Sequence, residues 1–156
     1  MAEVSLTLQA ATEQDSHFIW RVNNAPLTRA QSINSEPIPR DSHEVWFASK
    51  LNDPSCRMWV ALTHHERVGV IRFQISEHEA LVSVALDEAQ QGRGLGRRLI
   101  AEATALVFAE TSIAVAMIRP DNVGSIKAFE AAGYTLTGSE TQGDVVLLRY
   151  EAQRTT

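Results

Sequence analysis

A loop of closely spaced glycines near the middle of the chain has the residue types needed to bind an anion. It reads Gln-Gly-Arg-Gly-Leu-Gly from Gln91 to Gly96 and leads into Arg97-Arg98-Leu99-Ile100, the start of an amphipathic pattern. Glycine adopts positive φ and carries no side chain, so successive N–H groups can converge on an anion at the positive end of the following helix. The spacing predicts a pyrophosphate site formed by Gln91, Gly92, Arg93, Gly94, Leu95, Gly96 and Arg97.

Two other glycine-rich motifs do not fit this loop. A P-loop requires Lys followed by Ser or Thr after its last glycine, and this chain has Arg97-Arg98 there. A dinucleotide fingerprint requires a third glycine at a different offset, directly after a strand. The pattern that remains is Q-x-x-G-x-G.

This pattern resembles the acyl-CoA signature of the GNAT acetyltransferase superfamily. The segment Asn122 to Tyr134 is similar to that superfamily's second motif, N-x-x-(A/S)-x-x-x-(Y/F)-x-x-x-G-(F/Y). The resemblance implies acetyl-CoA as the co-substrate and no metal. It also implies contacts to the CoA arm from Asn122, Ser125 and Phe129, and from the backbone of Val84, Ala85 and Leu86.

Hydrophobic periodicity predicts the elements that position these motifs. Strands are expected at 4–8, 58–62, 68–75, 81–86, 113–118, 134–136 and 145–150; helices are expected at 12–24, from 41 to about 51, after the glycines, and from 122 to 133. Residues 28–40 and 138–143 are expected to be a loop and a turn. With the resemblance, the expected class is α/β (α+β): a mixed, mostly antiparallel sheet of about seven strands with about four flanking helices, and strands that splay apart at the acyl-CoA site.

Composition sets broad limits on function. The 156 residues, 44% of them hydrophobic, predict a single domain spanning 1–156. No leader pattern or membrane-length apolar run is present, so a cytoplasmic location without membrane association is expected. A formal net charge of -5 argues weakly against nucleic-acid binding. The single cysteine excludes an internal disulfide, and no metal-ligand spacing is found.

The resemblance also implies a reaction in which the acceptor amine attacks the thioester directly. Many relatives carry a Tyr acid where this chain has Phe129, so the acid is in question, and Tyr134 or Ser125 are the nearest candidates. The candidates on the acceptor side are His43 and either Glu79 or Ser83, because family topology places them there; His accepts a proton near neutral pH. The alternative without a catalytic role is that His43 is an exposed residue in the first turn of a helix.

The segment from Phe18 to Phe47 carries a narrower resemblance, to bacterial enzymes that acetylate nucleotide-linked amino sugars for surface polysaccharide or pseudaminic-acid-type sugars. Arg21, Arg29 and Arg40 offer guanidinium groups for a diphosphate, and Trp46 offers a ring for stacking. The small-molecule acceptor is therefore expected to contact Arg21, Asn24, Arg29, Ser32, His43 and Trp46.

Two alternatives remain open at this point. The acceptor could be a protein amino terminus or another small amine. The chain could instead be an acyl-CoA sensor without catalysis, which Phe129 favours. A homodimer through an exposed strand edge is a further expectation.

Overall fold

The computed structural model describes residues 4–32 and 34–155, with Leu27 described by its backbone alone. The seven strands are β1 (Thr7–Ala10), β2 (Cys56–Thr63), β3 (Glu66–Ile75), β4 (Glu79–Leu86), β5 (Ile113–Ile118), β6 (Thr135–Gln142) and β7 (Val145–Gln153). The α-helices are α1 (Ser16–Asn23), α2 (Pro26–Ala30), α3 (Arg40–Leu51), α4 (Leu95–Val107) and α5 (Val123–Ala131).

The strands form one sheet in the order β1-β2-β3-β4-β5-β7-β6. Every neighbouring pair is antiparallel except β4 and β5, which are parallel. The expected fold class, a mixed and mostly antiparallel sheet with flanking helices, is confirmed.

The parallel pair opens part way along its length. β4 and β5 are in register only at Glu79 with Ile113, Ala80 with Ala114 and Leu81 with Val115. Beyond these pairs β4 continues through residues 82–86 and β5 through 116–118 without facing each other. The gap lies directly before the glycine loop, so the predicted splay is present.

Alternating strand residues divide the core into two clusters on opposite faces of the sheet. On one face, Leu99, Ala103 and Val107 of α4 pack against Ile71 and Phe73 of β3. On the other face, residues of α1 and α3 cover β2, β3 and β4. The four members of that second cluster with the largest side chains are Phe18, Ile19, Phe47 and Met58.

Two local expectations were wrong. The predicted loop 28–40 begins inside α2, whose first residue is Pro26; proline suits a first helical turn because no intrahelical partner is needed for its missing N–H. The predicted turn 138–143 is mostly strand, since β6 runs to Gln142 and the chain reverses at Gly143, where φ is +61°. β6 is an exposed edge strand, and its polar sequence therefore gives no alternating signal. The expected homodimer stays a prediction.

Candidate active site

The glycine loop (residues 91–96) has the backbone conformation that an anion site requires. Gly92 and Gly94 have φ of +80° and +75°, and Gly94 directly precedes α4. The first turn of α4 therefore presents N–H groups without intrahelical partners at the positive end of the helix dipole. A Cβ on Gly96 would lie 3.4 Å from Leu86 Cδ1 and 3.8 Å from Ala128 Cβ, in ordinary van der Waals contact, so the anion-site conformation depends on Gly92 and Gly94 rather than on Gly96. These features fit the pyrophosphate of CoA.

The backbone of β4 completes this side of the site. The Asp87 N–H donates to the Val68 carbonyl at 2.9 Å, toward β3. Because backbone groups alternate in direction along a strand, the N–H groups of Val84 and Leu86 point the other way, into the gap beside β5. An extended pantetheine arm fits this edge as an added strand would. Val84 also lines a cavity on the adjoining face.

This acceptor cavity has a volume of about 450 Å³, a size typical of small-molecule sites. Its wall is formed by three helices (α1, α2 and α3), three strands (β2, β3 and β4) and the loop between α2 and α3. The lining residues are Ile19, Asn23, Thr28, Arg29, Ser32, Ile38, Ser42, His43, Trp46, Met58, Val70, Arg72, Ser83, Val84 and Ala85. The structure therefore brings together seven residues predicted for catalysis, cofactor or acceptor binding: Arg29, Ser32, His43, Trp46, Ser83, Val84 and Ala85.

His43 is the best-placed proton acceptor in the cavity wall. It is 1% exposed, and its Nε2 lies 3.0 Å from the Ser16 carbonyl and 3.1 Å from Ser16 Oγ. Ser16 Oγ already donates to Glu44 Oε1 at 2.9 Å, so both Ser16 oxygens require a proton on Nε2. In neutral His43 the lone pair is then on Nδ1, which makes no hydrogen bond to any described residue.

The environment of His43 favours its neutral form. Burial lowers the pKa of His43, and this effect outweighs the hydrogen bond to Ser16 and the nearby Glu44 carboxylate, which raise it. The ring stacks on Phe47 with centroids 5.6 Å apart. The alternative expectation, that His43 is an exposed helix residue, is thus wrong.

The arginines expected to bind a diphosphate already have partners within the protein. Arg21 Nη2 lies 3.0 Å from Asp87 Oδ2, and Arg40 Nε lies 3.0 Å from Glu44 Oε1. Arg29 donates to the carbonyls of Asn23 and Asn34 at 2.8 Å and 2.9 Å, and to Ser32 Oγ at 3.1 Å.

Arg29 therefore stabilises the segment after α1 beside the cavity. Its donors are directed at that segment rather than into the cavity. Asn24 acts similarly, since its Oδ1 accepts the Ile38 N–H at 2.8 Å. Neither Arg21 nor Asn24 lines the acceptor cavity; both border a shallower depression near Asp87.

The second motif divides between the surface and the core. Asn122 caps α5 by accepting the Ser125 N–H at 3.2 Å, and both residues are partly exposed. Phe129 is buried, with its ring edge-on to Tyr134 at 4.9 Å. The Tyr134 hydroxyl lies 2.7 Å from Thr104 Oγ1 inside the core, and burial raises the pKa of Tyr134 to about 12. A packing role fits this Tyr134 position, and an acid role does not.

Arg72 is the charged cavity residue that the sequence did not predict. It lies on β3 in register with Met58 of β2 and Ser83 of β4, so its side chain shares their face of the sheet. Its guanidinium carbon is 5.2 Å from the centroid of the Trp46 ring. The available signal was a cation in the otherwise apolar run Val-Gly-Val-Ile-Arg-Phe, which was interpreted only as a strand.

Two other kinds of feature, a metal site and a membrane-spanning helix, are absent from residues 4–32 and 34–155. No group of three or more His, Cys, Asp or Glu side chains could hold a metal ion in that part of the chain. No helix there is both long and apolar enough to cross a membrane.

Solved structures with the same fold include acetyltransferases of several kinds. An aminoglycoside acetyltransferase in complex with coenzyme A has 21% identity and a TM-score of 0.82, covering 96% of this chain and 95% of that one. A spermidine N-acetyltransferase from Vibrio cholerae in complex with CoA and spermine has 19% identity and a TM-score of 0.84, with 95% of each chain covered. A protein assigned as a phosphinothricin N-acetyltransferase has 23% identity and a TM-score of 0.83, covering 97% of this chain and 100% of that one.

Among curated proteins no significant match was found. The sequence model of the acetyltransferase (GNAT) family matches residues 14–134, more than half of the chain. With the glycine loop, the opened strand pair and the acceptor cavity in place, the chain belongs to the acetyltransferase (GNAT) family and is an acetyl-CoA-dependent N-acetyltransferase.

Proposed function

We propose that the chain acetylates the primary amine of a small molecule held in the acceptor cavity, with His43 as the general base. The observation that carries this proposal is the buried His43 ring, whose Nε2 is bonded to Ser16 and whose Nδ1 has no hydrogen bond to a described residue, in the wall that Val84 shares with the cofactor gap. Acetyl-CoA supplies the activated acetyl group, and the protein positions the amine and handles its proton.

The steps assign one role to each of three residues. As the amine nitrogen bonds to the thioester carbonyl carbon, Nδ1 of His43 takes the proton that the nitrogen loses. The Val84 N–H points into the gap and donates to the oxygen on which negative charge develops. The carbon–sulfur bond then breaks and CoA leaves as a thiolate. Ser83 lies on the cavity wall beside Val84 and orients the amine.

No protein acid is assigned to the leaving thiolate. Phe129 has no proton to donate, and the Tyr134 hydroxyl is bonded to Thr104 in the core. Ser125 remains the candidate from the second motif. A thiolate is stable enough near neutral pH to leave without being protonated, so the reaction does not require an acid from the protein.

For the acceptor we propose an amino sugar attached to a nucleotide diphosphate. The resemblance of residues 18–47 supports it, and so does the polar cavity wall, with hydroxyls from Thr28, Ser32, Ser42 and Ser83. Trp46 offers a ring for stacking.

The acceptors named for the fold neighbours differ in charge. Aminoglycosides and spermine are polycations, whereas phosphinothricin carries acidic groups. None of the described residues lining this cavity is Asp or Glu. That wall has no countercharge for a polycation, which argues against a polyamine or aminoglycoside here.

The test is release of CoA thiol from acetyl-CoA with a panel of amines: nucleotide-linked amino sugars, amino acids, polyamines, aminoglycosides and peptides with varied amino termini. Turnover confined to the nucleotide-linked sugars would support the proposed acceptor. Turnover only with peptides would favour a protein amino-terminal acetyltransferase. Binding of acetyl-CoA without turnover of any amine would favour the sensor alternative and overturn the proposal.

A further inference from the structure

Among residues 4–32 and 34–155, the Arg72 guanidinium lacks the protein partners that other partly buried arginines have. Six arginines in the described residues are partly buried. Five of them donate hydrogen bonds to protein oxygens: Arg29, Arg57, Arg98, Arg119 and Arg149. In the part of the chain that the structure describes, Arg72 forms neither a hydrogen bond nor an ion pair.

The surroundings of Arg72 make this unusual. Its neighbours in register are the side chains of Met58 and Ser83, and the Trp46 ring covers it. Burial lowers the pKa of Arg72, yet a guanidinium stays protonated in proteins. A partly desolvated charge without a partner is costly, so such a group is normally paired.

The cavity supplies no partner of opposite charge from the described part of its wall. Its other arginine, Arg29, directs its donors at the segment after α1. Arg72 therefore has donors that no described residue accepts, and it presents them to whatever occupies the cavity. Ring stacking fixes the plane of a guanidinium while leaving its edge for two parallel bonds to an oxyanion.

We propose that Arg72 binds an oxyanionic group of the acceptor, so that the substrate is an anionic amine. This inference rests on the proposed function and narrows its substrate class. Arg72 faces Ser83, one residue before Val84 in the cofactor gap, so the oxyanion lies near the end of the cavity where the acetyl group is transferred. A nucleotide diphosphate and an amino-acid carboxylate both carry this chemistry, and the experiment separates them.

The first arm uses pairs of acceptors that differ in charge. A nucleotide-linked amino sugar is paired with the same sugar lacking the nucleotide diphosphate, and an amino acid with its amide. Arg72→Met should lower kcat/KM for the anionic member by about ten- to a hundredfold, the size of a lost charge-assisted hydrogen bond. The loss should fall on the acceptor KM, with the acetyl-CoA KM unchanged. Arg72→Lys should restore part of it.

The pair that shows the Arg72-dependent loss identifies phosphate or carboxylate as the recognised group. A similar loss for the charged and the neutral member of every pair would overturn the proposal, because it would indicate a structural role. Arg57→Met is the matched control: Arg57 lies on β2, pairs with Glu110 and does not line the cavity. It should leave the acceptor KM unchanged.

A second arm does not depend on turnover. With CoA present in excess to fill the glycine loop, inorganic pyrophosphate and succinate are added separately and the melting temperature is measured. A rise in the melting temperature of the wild-type protein that is absent in Arg72→Met supports the proposal. It does so even if no amine is acetylated, and the absence of acetylation would defeat only the proposed function. Equal responses of the two proteins to both anions, or no response in either, would overturn the anion assignment.

Discussion

The cofactor side of the molecule is built mainly from backbone, whereas the acceptor side is built from side chains. Residues 91–96 form a continuous loop with positive φ at two glycines, opening into α4. The acceptor cavity takes its wall from α1, α2, α3, β2, β3 and β4. A backbone site can be recognised from a contiguous stretch of sequence, while a side-chain site exists only once distant segments have packed together.

The two regions also differ in how charge is handled. For the pyrophosphate site predicted there, the glycine loop offers N–H groups and a helix dipole, which need no particular cation. The cavity holds a neutral imidazole and a guanidinium without a described partner. Substitutions on each side should therefore disturb different kinetic parameters, and five predictions follow in order of decreasing effect.

The largest effect is expected for His43→Gln. Glutamine can keep the donor to the Ser16 carbonyl but offers no base at the Nδ1 position. General-base catalysis contributes about 100-fold or more, so kcat should fall by that factor while the acetyl-CoA KM stays near its wild-type value. Steady-state kinetics with both substrates measure this. A decrease of less than about threefold, far below the usual contribution of a base, would remove His43 from the mechanism.

The ratio of wild-type to His43→Gln rates gives the pH dependence, since titration of the acceptor amine cancels in the ratio. The ordinary pKa of histidine is about 6.5, and burial lowers the pKa of His43. The imidazole therefore becomes protonated only at pH values below that ordinary pKa. The ratio should therefore be flat through neutral pH and fall only at pH values more acidic than this. A fall that begins above the ordinary pKa of histidine would contradict the burial argument.

On the cofactor side, Gly94→Val should raise the acetyl-CoA KM by about tenfold or more, because a β-branched residue in the left-handed region costs over a kcal/mol and crowds the amides. The acceptor KM should change little. Gly138→Val is the control, since Gly138 lies on exposed β6 with nothing within 4 Å of an added Cβ. An unchanged acetyl-CoA KM in Gly94→Val would disprove the loop assignment.

Tyr134→Phe separates packing from catalysis. Loss of the bond to Thr104 should lower the free energy of unfolding by about 1 kcal/mol, while kcat stays within about twofold of wild type. Chemical denaturation and steady-state kinetics measure the two quantities. A tenfold drop in kcat in a stably folded variant would instead return Tyr134 to the role of acid.

The smallest effect is expected for Arg21→Gln. The ion pair with Asp87 is partly exposed, and such pairs contribute about 0 to 1 kcal/mol. The acceptor KM should change by less than about twofold, because Arg21 lies outside the acceptor cavity. A large rise in the acceptor KM would support the original assignment of Arg21 to a diphosphate and weaken the case for Arg72.

Most of the fold was predictable because strands with one buried face alternate and helices with one buried face repeat near every fourth residue. Strand β5 was placed at its observed bounds, 113–118. The predicted β6 was too short because an exposed edge strand needs no apolar residues. α2 was missed because a five-residue helix is too short to show a period.

The sequence by itself determined the glycine loop and the order of elements, because these depend on conformational preferences and periodicities that act over a few neighbouring residues. Tertiary structure decided which side chains are available for chemistry. It buried His43 and bonded its Nε2 to Ser16, 27 residues away. It engaged Arg21, Arg29 and Arg40 with partners of their own, and it left Arg72 beside Trp46 in the cavity. The partners of a side chain lie on other elements, so only packing determines whether its donors are already used.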